Sequence, residues 1–490
     1  MSYLVTSPEA LTATAADVQR IGSALRAAAG EASGPTTGVA AAAEDEVSLA
    51  IARLFGAFGQ QYQAVLTDAA AFHSQFTQTL SAASTTYAQA ETAAAGLVSG
   101  EVAPLRALLS PTTGGALESV SRFPPLSTTL ISPVTALIMG GAHNPGPIPS
   151  YIAAVDSAYI QPVVAGAAAL GVYTPEQFWP ATPELGNTLT FGQSVAQGVS
   201  LLNSAINTQL TAGHSALVFG YSESATVATN EIRALMALPL AQQPTAGQLA
   251  FTLVGDPNNP VGGLLERFPG FYVPGLDVAF NGATPQSPWA TSIYTIQYDG
   301  FADFPQYPLN FLSDLNSLMG ISLHSDYPWL TANQVANAVL LPTSGGNTNY
   351  YMFMTQNLPL LDPIRQIPYV GNPLADLVQP DLRVIVDMGY ADYGAGANYA
   401  NVPTPAGLFA IPNPFTVIPD LGTGAVQGVQ AALVDVGALP QSALPNAYPY
   451  VPSLDPGLNV SFGQSSATLL SVLSGDVGSV LELIPPPNLS

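Results

Sequence analysis

The chain has 490 residues, 48% of them hydrophobic, enough for two or three domains with sizeable cores. Its 32 acidic residues face nine basic ones, all of them arginine, for a net charge of −23, which excludes nucleic acid and polyanionic membrane surfaces as partners because phosphates need a basic patch. Zero cysteines exclude disulfides, thiolate metal sites and a Cys nucleophile, and no phosphate loop, metal cluster or dinucleotide fingerprint appears, so no cofactor or metal is implied.

No basic residue precedes Arg20, and no short apolar stretch ending in a cleavage site follows Met1; a cleaved secretory signal is not expected. No uninterrupted apolar run approaches the roughly 18 residues of a transmembrane helix. These features alone point to the cytosol.

Residues 1–95 read as a helical hairpin. Leu11, Ala15, Val18, Ile21 and Leu25 step by three or four and share one helix face. Gly30 to Gly38 supplies the break. A second run from Val47 through Phe58, Phe72 and Phe76 to Tyr87 keeps the same spacing, and about 50 residues of helix would reach roughly 75 Å. The two helices leave apolar stripes for a partner or for the rest of the chain. His73 lies within this segment and reads as a solvated or capping residue. The opening Met1-Ser-Tyr-Leu-Val, the Pro8-Glu9 dipeptide and a hairpin of this length resemble the mycobacterial PE proteins. Tyr87-Ala-Gln-Ala-Glu91 is similar to the motif that type VII secretion substrates carry after their hairpin. The resemblance implies export as a folded module without a cleaved signal, paired with a PPE-family protein and handled by a secretion chaperone. It moves the expected location to the cell envelope or the exterior.

Residues 96–132 form a Gly/Pro/Ser-punctuated linker. From Val134 the pattern changes to β-prone runs: Val134–Met139, Ala216–Phe219, Ala250–Val254, Ile293–Tyr298 and Leu382–Val386. Helical stretches such as Val195–Leu210 and Ala225–Leu238 lie between them. Buried strands alternating with helices predict a mostly parallel sheet covered on both faces, the α/β hydrolase architecture. Gly220-Tyr-Ser-Glu-Ser224 stands between an apolar run and a helix, the layout of a nucleophile elbow with Ser222 at its tip. Gly220 and Ser224 must be small so that the helix can pass close to the strand.

Further stretches resemble the PE-PPE domain, a serine hydrolase module related to cutinases. They are Gly140-Gly-Ala-His-Asn-Pro145, Thr174-Pro-Glu-Gln-Phe-Trp-Pro180, Gly255-Asp-Pro-Asn-Asn-Pro260, Tyr298-Asp-Gly-Phe-Ala-Asp-Phe-Pro305 and Thr355-Gln-Asn-Leu-Pro-Leu360. The domain is expected over 133–370. The family usually has Thr where Ala142 stands, and its serine pentapeptide ends in Gly or Ser.

The order Ser, acid, His selects the remaining members of a triad. Of the four histidines, only His324 follows Ser222. His214 sits at the far end of the elbow strand and reads as structural, and His143 borders the site. Asp299 and Asp303 both follow the Ile293–Tyr298 run. Asp303, after a Gly300 turn, is the preferred acid and Asp299 the alternative. Asp256 reads as a turn former, and Asp277 and Asp314 fall in the wrong places. The backbone N–H groups of Glu223 and of Gly141 or Ala142 are the expected oxyanion donors, with the Glu223 side chain turned to solvent or to a helix N-terminus.

Residues 371–490 form an apolar extension rich in Pro, Gly and Asn, read either as a lid over an acyl site or as irregular packing on the hydrolase. The functions in view are an exported serine esterase or lipase acting on acyl esters, an acyltransferase using the same triad on envelope lipids, and a non-catalytic envelope protein whose hairpin carries the function.

Overall fold

The computed structural model describes residues 130–490, apart from 187, 394–397, 462, 466 and 490, together with scattered positions between 16 and 63. The chain divides into two compact units, Met1–Glu118 and Ser119–Ser490. In the first, every described position from 16 to 37 is helical, including Gly30, Gly34 and Pro35. The break expected from Gly30 onward is therefore corrected to a later point. Thr37 Oγ1 donates to Ser33 O at 2.7 Å and the Gly38 N–H to Gly34 O at 3.0 Å, which carries the turn past the proline. Positions 52, 56, 60 and 63 are also helical. His73, Tyr87, Glu91, Phe58, Phe72 and the linker up to residue 129 lie outside the described residues.

Among its described residues the second unit is built on nine strands: β1 (Val134–Ile138), β2 (Ala168–Gly171), β3 (Ser215–Tyr221), β4 (Leu249–Val254), β5 (Tyr272–Val273), β6 (Val278–Ala279), β7 (Ala290–Ile296), β8 (Val339–Leu340) and β9 (Thr348–Phe353). Seven of them form one sheet in the order β2-β1-β3-β4-β7-β9-β8, parallel throughout except for the β8–β9 pair; β5 and β6 make a small antiparallel hairpin. The helices that matter for the site are α1 (Pro149–Val155), α2 (Phe191–Thr211), α3 (Glu223–Ala237), α4 (Phe311–Met319) and α5 (Gly371–Asp387).

The period-two geometry of a strand sends neighbouring side chains to opposite faces. On β3, Ala216 and Val218 join Leu249, Phe251 and Leu253 of β4 in one core, closed by Val195, Leu202 and Ile206 of α2 and Val227 and Ile232 of α3. Leu217 and Phe219 join Ala250 and Val254 in a second core, closed by Tyr151 and Val155 of α1. With both faces covered, the strands carry continuous apolar runs, and the expected α/β hydrolase architecture holds. A capping box at Thr190 and Gln193 starts α2, which satisfies two backbone donors that a helix N-terminus otherwise leaves open.

Leu382–Val386 is not a strand but the last part of α5. Its branched residues favour a strand, yet Gln379, Arg383 and Asp387 recur at helical spacing on one face. Arg383 Nη1 and Asp387 Oδ1 both meet the Tyr298 hydroxyl, at 3.2 and 2.7 Å, and the Gln379 amide donates to Gln356 O. Those tertiary bonds override the local preference.

The order of the sheet places the site. β2 lies on one side of β1 and β3 on the other, so the connections leaving the carboxyl ends of β1 and β3 diverge there, the usual place for a crevice in an open α/β sheet. The register Ile138↔Phe219 sets the loop after β1 beside the turn after β3. Phe251 is fully buried, with its ring 6.2 Å from that of Trp289. Phe251→Ala is expected to cost about 3–5 kcal/mol, read as a lower urea midpoint of tryptophan fluorescence; an unchanged midpoint would contradict the placement of this core.

Candidate active site

Ser222 lies between the end of β3 and the start of α3, at the N-cap position, with φ 58° and ψ −118°. A positive φ is costly for a residue with a Cβ, and it persists here because the surroundings leave the chain no other path. A Cβ on Gly220 would meet Ser224 O at 2.8 Å and Ala225 Cα at 3.1 Å, so strand and helix close to this distance only over glycine. Ser224 does more than stay small. Its hydroxyl accepts the Tyr221 N–H at 2.9 Å and donates to Gly140 O, which ties the elbow to the loop after β1.

His324 lies on a short 3₁₀ turn, Gly320–Ser325, and connects two groups. Its Nε2 is 2.8 Å from Ser222 Oγ, and its Nδ1 is 2.8 Å from Asp299 Oδ2. Asp299 is wholly buried; its Oδ2 also accepts the Tyr327 hydroxyl at 2.7 Å, and its Oδ1 accepts the Phe301 N–H at 2.9 Å. The Tyr221 hydroxyl donates to His324 O at 2.7 Å. Phe301 stands edge-on to the imidazole with ring centres 4.8 Å apart, and Tyr221 and Tyr327 complete the aromatic wall. Such a wall keeps water away and strengthens the polar contacts inside. Gly255, with φ +56°, passes so close that a Cβ would sit 2.9 Å from His324 Cε1.

The structure brings Asp299, not Asp303, to the histidine. Asp303 Oδ2 instead accepts the Tyr298 N–H at 2.7 Å, and the Asp303 N–H donates to Asp299 O at 2.8 Å. The chain folds back on itself over four residues, so the second aspartate points into the turn that presents the first. Burial pushes the Asp303 carboxyl up to about 7, against the pull of that N–H and of Arg267. Tyr298 takes a positive φ of 71° and is held at its far end by Asp387 of α5. The C-terminal extension thus buttresses the acid-bearing turn.

Other residues fall largely where the pattern puts them. His214 contacts Thr135 and Gln209 at the start of β3. Asp256 holds its own turn through the Asn258 N–H and the Thr284 hydroxyl. His143, at φ 74°, pairs with Glu184 at 2.6 Å on the surface. In the loop after β1 the Asn144 N–H bonds to Gly141 O and the His143 N–H to Glu176 O. The N–H groups of Gly141 and Ala142 are left without a protein acceptor among the described residues. A Cβ on Gly141 would lie 2.7 Å from the Tyr221 ring. The Glu223 side chain departs from expectation: it is buried, not solvated, and accepts the Ser194 hydroxyl at 2.5 Å, because α2 packs over the first turn of α3. Tyr221, Tyr327 and Ser194 had no readable signal, since aromatic and small residues at such spacings look like ordinary core.

The set comprises an exposed-edge hydroxyl, an imidazole that can take its proton and a buried carboxylate on the other ring nitrogen. Chemically it can deliver an oxygen nucleophile to an electrophilic carbon. No group of His, Asp or Glu suited to a metal ion occurs among the described residues, and no helix among them is long and apolar enough to cross a membrane. Ser224→Ala is expected to cost about 1–3 kcal/mol by leaving the Tyr221 N–H unpaired, read as a lower urea midpoint; an unchanged midpoint would remove the structural role given to that hydroxyl.

Comparison with known families matches residues 4–94 to the PE family and 165–391 to the PE-PPE domain. "PE family protein PE3" of Mycobacterium tuberculosis (strain ATCC 25618 / H37Rv) is 57% identical over 493 residues, covering 99% of this chain and all of the relative. "Esterase PE16" of the same strain is 46% identical over 439 residues, 88% of this chain and 77% of the relative. Among solved structures, a cutinase-like protein from Cryptococcus sp. aligns with 44% of this chain and 93% of its own, at 17% identity and a TM-score of 0.27.

Proposed function

Since the chain belongs to the PE family and carries a PE-PPE domain, we propose that it is an exported serine esterase that cleaves acyl esters through Ser222, His324 and Asp299. The observation that carries this reading is His324 standing 2.8 Å from both Ser222 Oγ and Asp299 Oδ2. The imidazole takes the Ser222 proton on Nε2 while Oγ attacks the ester carbonyl. Asp299 accepts Nδ1–H, fixes the tautomer and stabilises the imidazolium. The developing oxyanion is held by the N–H of Glu223, at the orphan end of α3, and by that of Gly141 or Ala142. His324 returns the proton to the leaving alcohol, and a second pass with water releases the acid.

Water is the favoured acceptor because a relative of 46% identity is named an esterase; an alcohol acceptor would make the same machinery an acyltransferase. The family also supports type VII export to the cell envelope or beyond, through Tyr87 and Glu91, with a PPE-family protein as partner. Asp303 and Asp387 hold the turn and take no proton in this scheme.

Ser222→Ala should abolish turnover of a chromogenic acyl ester and fluorophosphonate labelling together. Asp299→Asn should lower kcat by about 10⁴-fold, while Asp303→Asn should stay within about tenfold of wild type. Full activity in Ser222→Ala would sink the esterase reading and favour the non-catalytic envelope protein. Loss confined to Asp303→Asn would return the acid role to that residue.

A further inference from the structure

Asp299 is gripped by a residue that the proposed chemistry does not use. Tyr327 opens a short 3₁₀ turn, Tyr327–Trp329, three residues after His324, and is fully buried. Its ring meets the imidazole edge-on at 5.8 Å and lies 6.1 Å from that of Tyr221. Packing alone would be served as well by phenylalanine. The hydroxyl is another matter, because burying one is costly unless it is hydrogen-bonded. It makes two bonds: the Ile296 N–H donates to it at 2.7 Å, and it stands 2.7 Å from Asp299 Oδ2.

The direction of its proton follows from the donors present. An N–H can only donate, so the bond from Ile296 occupies a lone pair of the hydroxyl oxygen. The single O–H proton goes to Asp299 Oδ2, its one acceptor among the described residues. Burial, and after it the charge of Asp299, holds this hydroxyl well above its ordinary 10.0, so it remains a donor.

Ile296 is the last residue of β7, and its carbonyl accepts the Asp299 N–H at 3.1 Å. The three residues therefore close a ring of bonds: strand to tyrosine, tyrosine to carboxylate, and the aspartate backbone to the strand again. The Tyr327 backbone is held as well, its carbonyl accepting the Tyr159 hydroxyl at 2.8 Å. Gly255 leaves room for both rings, since a Cβ there would lie 2.8 Å from Tyr327 Cε2 and 2.9 Å from His324 Cε1.

We propose that Tyr327 is a positioning residue: its hydroxyl, fixed by the Ile296 N–H of β7, holds the Asp299 carboxylate on His324 Nδ1 while Nε2 takes and returns the Ser222 proton. The inference rests on the esterase reading, and Tyr327 acts through Asp299 rather than on the ester. Without the hydroxyl, Oδ1 keeps the Phe301 N–H, but Oδ2 is held by the imidazole alone and the carboxylate can turn away. The loss falls on the transition state, where the imidazolium needs its partner, and not on binding of the ester.

The test uses the full chain and a chromogenic acyl ester, with kcat and KM measured for wild type, Tyr327→Phe, Asp299→Asn and the double variant. Tyr327→Phe should lower kcat about 10- to 100-fold, the scale of a misplaced catalytic group, with KM within about threefold of wild type. In the Asp299→Asn background the same change should alter kcat by less than about threefold, because residues that act as one unit are not additive. Tyr159→Phe loosens Tyr327 at its carbonyl and leaves the hydroxyl in place; it should lower the urea midpoint and keep kcat within about threefold of wild type. Replacing Tyr327 by 4-aminophenylalanine, whose N–H can donate from the same place, should bring kcat back to within about tenfold of wild type. Equal losses of kcat in both backgrounds, or a Tyr327→Phe enzyme as fast as wild type, overturn the positioning role. A Tyr159→Phe enzyme as slow as Tyr327→Phe overturns it too, since packing of the turn and not the hydroxyl would then set the rate. Should Tyr327→Phe fail to fold, the amino variant decides: folded but short of that recovery, it overturns the proposal. A wild type without turnover contradicts the esterase reading itself, and the proposal falls with it.

Discussion

The positive φ of Ser222 is the constraint around which the second unit is arranged. A serine is held in that conformation only if strand, turn and helix leave it no alternative, and each of them is specified by sequence. β3 is buried on both faces and bonded to β1 and β4, so it cannot slide. α3 approaches within the radius of a side chain at Gly220. The Ser224 hydroxyl clips the turn to the neighbouring loop. The result is a hydroxyl placed at the carboxyl edge of the sheet, where the connections from β1 and β7 bring the backbone donors and the carboxylate.

A second constraint comes from the scarcity of cations. Few arginines are available to the second unit, and they are spent largely on backbone carbonyls: Arg267, fully buried, bonds to the carbonyls of Phe304, Thr404 and Val261, and Arg233 to those of residues 281–283. Buried acids must then be neutral or hydrogen-bonded. Desolvation raises Asp256 to about 6 and Asp303 to about 7. Asp299 is different in kind, since it receives three hydrogen bonds, from Tyr327, Phe301 and the imidazole. Contact with the imidazole separates Asp299 from Asp256 and Asp303, whose hydrogen bonds go to Asn258, Thr284 and Tyr298 instead.

Much of this was legible in the chain. The apolar runs at Val134, Ala216, Ala250 and Ile293 lie in or overlap β1, β3, β4 and β7, and chain order singled out His324, the histidine that stands on Ser222. The choice between Asp299 and Asp303 was not legible, because both follow β7 and only the four-residue reversal decides which one faces His324. The burial of Glu223 depends on α2 crossing α3, a tertiary fact with no local signature. Leu382–Val386 misleads because its branched residues carry a strand preference that bonds from Arg383 and Asp387 to Tyr298 override. β2 and β9 went unread, the one short and largely exposed, the other polar at its start.

The most direct measurement is a crystal structure of the full chain after reaction with a long-chain alkyl phosphonate. The account predicts phosphorus bonded to Ser222 Oγ, His324 still bridging to Asp299, and the phosphonyl oxygen accepting the N–H of Glu223 and that of Gly141 or Ala142. An adduct on another residue, or an imidazole parted from Asp299 and bonded to Asp303, would contradict it.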